Sequence, residues 1–266
     1  MTTAPIKAAI ERWRNKAISG TALMRHIVAY DQWQLPVADD AVGELLSGET
    51  TRLMYQRTAD GAAHLYVFSS AEAFEQYRAA LKAEAEVPQH FLSVGGQWVF
   101  RLPLTEIDDV VIDPVCEWQI SYSRDQFGRL RQMVAALEVE AAIEQLRFNP
   151  SPPKGLMWLV KNYPAFLVAV AQVDGQTRLI FAPDGQGRQL AALFTFDDAF
   201  AAYQAEMQPR YPDFELRPLR LPGQELFSRL AQLDIDGLVF NCSGPSQVIA
   251  FTREFTERIL TADLPH

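Results

Sequence analysis

The feature that most constrains this chain is that it repeats itself. Residues 7 to 38, "KAAIERWRNKAISGTALMRHIVAYDQWQLPVA", lie without a gap over residues 140 to 171, "EAAIEQLRFNPSPPKGLMWLVKNYPAFLVAVA". Ala8, Ala9, Ile10, Glu11 and Arg14 recur as Ala141, Ala142, Ile143, Glu144 and Arg147. Leu23, Met24, Tyr30, Val37 and Ala38 recur as Leu156, Met157, Tyr163, Val170 and Ala171; Ile27 faces Val160, while Val28 meets Lys161. Further on, "VFSSAEAFEQY" returns as "LFTFDDAFAAY", so that Phe68, Ala73, Phe74 and Tyr77 match Phe194, Ala199, Phe200 and Tyr203. "GQWVF", "DDVVID" and "ISYSRD" then match "GQELF", "DGLVFN" and "IAFTRE" in the same order. A period of half the 266 residues predicts two tandem units, 1–132 and 133–266, rather than a solenoid.

A signal present twice sharpens the reading of elements. Each unit is expected to open with an amphipathic helix, about 5–15 and 138–147, followed by a short helix with Leu23, Met24 and Ile27, or Leu156, Met157 and Val160, on one face. Three strands in a meander follow, at about 165–172, 177–182 and 189–194 in the second unit, with turns at "DG" and "PDG". In the first unit "ADG" supplies the second turn, and the longer "DDAVGELLSGETT" replaces the first. Ser69 with Glu72 reads as a capping box, and Asp197 or Asp198 as the cap of the equivalent helix. Leu226, Phe227, Leu230 and Leu233 mark a helix from Gly223, whose counterpart should end early at Pro103. Two strands, about 109–113 and 118–123, and a closing helix capped by Ser123 or Thr252 complete the unit. The fold class is therefore α/β: two tandem α+β units, each a mixed, largely antiparallel sheet packed with helices.

Composition narrows the partners. Hydrophobic residues make up 48% of the chain, enough to fill sizeable cores, and 33 acidic against 24 basic residues leave a net charge of −9 that repels phosphate backbones. The basic islands Arg12/Arg14/Lys16, Arg129/Arg131 and Arg217/Arg220 are small and read as solvated faces, so nucleic acid is not an expected partner. The two cysteines lack metal or disulfide spacing, the N-terminus has no apolar run after its basic residues, and "YPAFLVAVAQV" is too short to cross a bilayer. A cytoplasmic protein without a membrane role is the expectation.

Chemistry-bearing residues read mostly as structural. Cys242 in "NCSGP" could present a thiol at a turn, but its counterpart is Pro114 and no histidine lies nearby in sequence; Cys116 reads as a buried thiol. His26, His64, His90 and His266 are isolated in sequence and none recurs. Asp108, Asp109 and Asp113 resemble a metal cluster, yet strand alternation sets Asp109 apart from its neighbours, and Asp108 with Asp236 reads as a turn before a strand. "PDGQGR" lacks the strand, spacing and lysine of a phosphate loop. Glu11/Glu144, Arg14/Arg147 and Arg124/Arg253 read as caps, ion pairs or equivalent contact surfaces. No catalytic, cofactor-binding or metal residue is assigned, and no cofactor is expected.

The "VF" strand end leading into an acidic, aromatic helix, the "GQELF" helix and "GLVFNCSGP" together resemble the SseB N-terminal domain family, with the second unit, residues 156–260, carrying the similarity best. Asn241, Cys242, Ser243 and Gly244 stand where that family has its turn after the fifth strand, whereas the first unit has Asp113 and Pro114. The resemblance implies the fold and no catalytic centre. The expected function is a non-enzymatic interaction or regulatory protein whose partner is another protein or a peptide. The alternatives are a cysteine-dependent hydrolase or transferase using Cys242, and a small-molecule sensor binding between the repeats.

Overall fold

The structure, a computed structural model, describes residues 5–37, 55–81, 90–102, 104–149, 154–182, 186–242 and 250–262. The "DDAVGELLSGETT" and "PDG" turns, Pro103, Ser243, Gly244 and His266 lie outside these residues. The chain divides into two compact units, Met1–Val134 and Ala135–His266.

In the first unit α1 (Pro5–Arg14) and α2 (Gly20–Ala29) precede β1 (Trp33–Val37). Ser19 caps α2 by accepting the Ala22 amide, and Leu23, Met24, Ile27 and Val28 supply its buried stripe. β2 (Gln56–Arg57), β3 (Ala63–Val67), α3 (Ala71–Ala80), β4 (His90–Val94), α4 (Gly96–Arg101), β5 (Asp109–Ile112) and β6 (Ile120–Ser123) follow. β4 pairs with β1, β1 reaches β3 through a two-way backbone bridge between Gln34 and Phe68, and β3, β5 and β6 continue the order, with β2 on β3. β3 and β5 are parallel; the other strand pairs are antiparallel.

α5 (Arg124–Phe148) straddles the division between units. A closing helix and a separate helix over 138–147 were the expectation; one 25-residue helix replaces them, because its interior has no proline and a single glycine, Gly128, among strong helix formers. The second unit continues with α6 (Lys154–Lys161), β7 (Phe166–Val173), β8 (Gln176–Leu179), β9 (Phe181–Ala182), β10 (Leu190–Phe194), α7 (Asp197–Met207), a 3₁₀ turn (Gln208–Arg210), β11 (Arg217–Leu221), α8 (Gly223–Leu230), β12 (Gly237–Phe240), β13 (Ala250–Thr252) and α9 (Arg253–Leu260). Its sheet runs β11, β7, β10, β12, β13, again with one parallel pair, β10 with β12, in that path. The strand order and sense match those of the first unit position by position.

Four further expectations are corrected. The meander forms at one end only: the middle strand breaks at Ile180 into β8 and β9, and β7 pairs directly with β10 at Val168/Leu193 and Leu167/Phe194. Ser70 rather than Ser69 caps α3, accepting the Ala73 amide, because Ser69 is buried and engaged elsewhere. Phe196 occupies the cap position of α7 without a side-chain bond, while Asp197 pairs with Arg220 and Asp198 accepts the Ala199 amide. Leu233 lies beyond α8 and is exposed.

Matched residues do matched work in the cores. Phe68 packs edge-on against Phe74 and tilted against Tyr77, with ring centroids 5.3 and 5.4 Å away; Phe194 does the same with Phe200 and Tyr203 at 5.5 and 5.0 Å. Gly96 and Gly223 start α4 and α8 where a preceding helix end comes within contact. Each donates its amide to a tyrosine carbonyl, Tyr30 or Tyr163. A Cβ at Gly96 would meet the Ile27 and Val28 carbonyl oxygens at 2.5 and 2.7 Å, and one at Gly223 those of Lys161 and Val160 at 2.5 and 2.9 Å. Backbone cannot yield as a side-chain tip can. Gly96→Ala and Gly223→Ala are each expected to cost about 1–3 kcal/mol, read as a lower urea midpoint; a midpoint unchanged in both variants would refute the close-approach reading.

Candidate functional site

The shared polar residues form clamps on the parallel strand pair of each unit. Before β5, Asp108 Oδ2 accepts the Ala63 amide at 2.9 Å; before β12, Asp236 Oδ2 accepts the Gln189 amide at 2.6 Å. At the other end Asp113 and Asn241 sit in the left-handed region, φ 48° and 47°, which short polar side chains tolerate. Asp113 Oδ1 accepts the Ser69 amide at 2.6 Å, and Asn241 Oδ1 accepts the Thr195 amide at 2.9 Å. Tyr30 and Tyr163 donate their hydroxyls to the carbonyls of Ser69 and Thr195. Sequence reading placed Asp108 and Asp236 correctly before their strands; it could not see that Asp113 and Asn241 reach across to another strand.

The clamps differ in charge. Asp113 Oδ2 also accepts Ser69 Oγ–H at 2.6 Å and Trp118 Nε1–H at 2.8 Å, and Lys7 Nζ stands 4.1 Å from the Trp118 ring centroid. In the second unit the clamp residue is neutral, and Asn241 Nδ2 donates to Thr195 Oγ1 at 3.0 Å while that hydroxyl donates to Glu140. Burial pushes the Asp113 carboxyl above the usual carboxylate range, against the lowering effect of the Ser69 and Trp118 donors.

The linkage follows in sign. A raised folded-state pKa means that the native protein binds more protons than the unfolded chain between the ordinary and the raised value, so stability falls as pH rises through that window. Comparing wild type with Asp113→Asn isolates the contribution. The stability difference is expected to move in favour of the variant as pH rises from the ordinary aspartate range, and then to level off. Urea titrations across the acid range that gave a constant difference would overturn it.

An open groove lies in the first unit, on the side of β6 away from β5. It encloses about 330 Å³ and is lined by α1 and α2 through Trp13, Thr21, Leu23 and Met24, by Ile120, Ser121 and Tyr122 of β6, and by Gln126 and Arg129 of α5. Leu23 and Met24 are buried, while Trp13 remains 37% exposed. Among the described residues that line it, Arg129 is the charged one. At the matched positions the second unit carries Leu146 for Trp13, Phe251 for Tyr122 and Phe255 for Gln126. Phe251 and Phe255 stack at 4.3 Å.

The remaining candidates disperse. Cys242 is 3% exposed within an apolar cluster that includes Leu167, Phe194 and Val239, so the turn does not present its thiol. Cys116 is 6% exposed, and burial, then the charges of Asp113 and Glu72, push its thiol up to about 11. Iodoacetamide is accordingly expected to label neither cysteine in the folded protein and both in urea; rapid native labelling of either would show it accessible. His64 is not isolated: its Nε2 lies 3.3 Å from Asp109 Oδ2 across the parallel pair. His26 is exposed. The basic islands are partly engaged, with Arg14 donating to the Glu117 and Gln119 carbonyls, Arg131 to the Leu102 carbonyl, Arg217 to Glu215 and Arg220 to Asp197. Glu144 pairs with Arg147, Arg124 with Asp108, and Arg253 with Asp234 and Glu257. Among the described residues no group of three or more His, Cys, Asp or Glu could hold a metal ion, and no helix is long and apolar enough to cross a membrane.

The chain is thus a mixed α/β protein of two compact units. No family model matches it, and no curated protein matches it significantly. A solved structure described as Anabaena Tic22 (protein transport) matches at 14% identity over 94% of this chain and 100% of its own, with a TM-score of 0.22. At that identity and score the likeness carries neither fold nor activity across to this chain.

Proposed function

We propose that the chain is a non-enzymatic, cytoplasmic interaction or regulatory protein, built by tandem duplication of an SseB-like unit, whose partner is a protein segment or peptide held in the groove of the first unit. The observation that carries this reading is a division of labour. The residues the halves share, among them Tyr30/Tyr163, Gly96/Gly223 and Asp108/Asp236, make internal bonds or close packing contacts that hold each unit together. The groove combines a shared wall, Leu23, Met24, Ile120 and Arg129, which recur as Leu156, Met157, Ile249 and Arg258, with Trp13, Thr21, Ser121, Tyr122 and Gln126, which differ between the halves. The matching strand order of the units supports the duplication. A pocket of apolar wall and polar rim with an exposed tryptophan suits a side chain of a partner.

Panning a displayed peptide library against the full chain tests it. Binders are expected whose affinity falls about tenfold or more in Trp13→Ala. They should also weaken in Gln126→Phe, which copies the second unit. Binders indifferent to both substitutions would place recognition elsewhere and overturn the assignment of the groove.

A further inference from the structure

Asp–Gly pairs occur in the chain at 60–61, 174–175, 184–185 and 236–237, and the structure describes all but 184–185. Such a pair can rearrange, because glycine has no side chain to shield its nitrogen from the neighbouring carboxyl carbon. Whether it does depends on what else holds the two groups.

Asp236–Gly237 and Asp60–Gly61 are held. Asp236 Oδ2 accepts the Gln189 amide at 2.6 Å, its own amide donates to the Gln189 carbonyl at 2.9 Å, and Gly237 is buried in β12 between β10 and β13. In the turn between β2 and β3, Gly61 N–H donates to the Thr58 carbonyl at 2.9 Å, and the Asp60 carboxylate accepts the Thr58 hydroxyl. The Thr58 bond, followed by the Ala62 amide, holds the Asp60 carboxyl below its usual range, so it stays ionised where ring closure needs the protonated acid.

Asp174–Gly175 is held by neither kind of contact. The pair forms the whole connection between β7 and β8, which meet at Val173 and Gln176, and its φ angles of 53° and 76° are those a two-residue hairpin turn requires. The ladder bonds of such a turn run between the flanking residues, and among the described residues neither the Gly175 amide nor the Asp174 carboxylate has a partner. Both residues are exposed, and no atom lies within 4 Å of where a Gly175 side chain would stand. Among the described residues β8 pairs with β7 only, and Gln176, Thr177 and Arg178 are exposed, so this hairpin end opens at little cost.

We propose that Asp174–Gly175 is a modification site, at which the turn converts spontaneously to isoaspartate and becomes a substrate for a carboxyl methyltransferase that recognises isoaspartate. Rotation about the Asp174 Cα–C bond brings the Gly175 nitrogen onto Cγ of the protonated carboxyl. The N–Cγ bond forms, the Cγ–OH bond breaks, and the hydroxyl leaves with the amide proton as water, giving a succinimide. Water then adds to either ring carbonyl. Cleavage of N–Cγ restores aspartate, whereas cleavage between that nitrogen and the Asp174 main-chain carbonyl carbon leaves the chain running through Cβ and Cγ, with a free α-carboxylate. No oxidant is needed, and the water lost is regained. The lengthened connection no longer fits the Val173/Gln176 register, so β8 detaches while β7 stays paired with β11 and β10.

The full chain, stored warm at neutral pH, is treated with isoaspartyl methyltransferase and labelled S-adenosylmethionine, then cleaved at acid pH and mapped by mass spectrometry. Label is expected at Asp174 about tenfold above that at Asp60, the worth of the hydrogen bonds that hold the latter pair. Asp174→Glu, which would have to close a larger ring, should abolish it. Thr58→Ala should raise the label at Asp60, and storage in urea should bring the two sites level, since only the folded structure separates them. Label at Asp60 as strong as at Asp174 in the folded chain, or none at Asp174, would overturn the proposal. Neither result bears on the groove, which lies in the first unit.

Discussion

Parallel strands cannot be joined by a tight turn, so β3 and β5, like β10 and β12, must be brought together across a long crossover before any ladder bond can form. Each sheet holds that junction with side chains. Asp108 and Asp236 bind an amide at the start of the pair, and Asp113 and Asn241 bind one past its end. The strands between these points are short, His64 to Val67 against Asp109 to Ile112 in the first unit. With so few ladder bonds, two carboxylate or amide clamps are a large fraction of the pairing energy. The tyrosine bonds from Tyr30 and Tyr163 to the same junction tie the second helix of each unit to it.

The same construction serves two electrostatic solutions. In the first unit the clamp itself is a carboxylate, supplied with three donors by Ser69 and Trp118. In the second the clamp is an amide, and the carboxylate lies one step out, at Glu140, on the far side of the Thr195 hydroxyl. Buried ionised groups need full hydrogen bonding, and an amide needs less, so the first unit carries the pH-sensitive version of a shared joint. Ser69 and Asp113, with the buried Cys116 beside them, are thereby accounted for as pairing and packing.

Much of the fold was legible because local signals occur twice. Helical stripes such as Leu23, Met24 and Ile27, the strand-to-helix junction at Phe68 and Phe74, and Asp108 before its strand all follow from periodicity and turn chemistry. Boundaries decided by competition were not legible. Ser69 and Ser70 are equally good caps in sequence, and only the buried Asp113 on a distant strand takes Ser69 out of contention. A repeat boundary suggests a break within the 25-residue α5 that no residue in it enforces. Leu233 was assigned to a helix that ends three residues earlier.

The groove was the least visible feature. Trp13, Met24, Ser121 and Arg129 come from elements separated by nearly half the chain, and no spacing rule links them. By itself the sequence determined the α/β class, the recurrence of matched residues and the absence of familiar catalytic spacing, since these depend on patterns a few residues long. Only the tertiary structure decided which polar residues are consumed in holding β3 to β5 and β10 to β12. The reason is that hydrogen-bond partners far apart in sequence are chosen by strand order and register, which residue spacing along the chain does not encode.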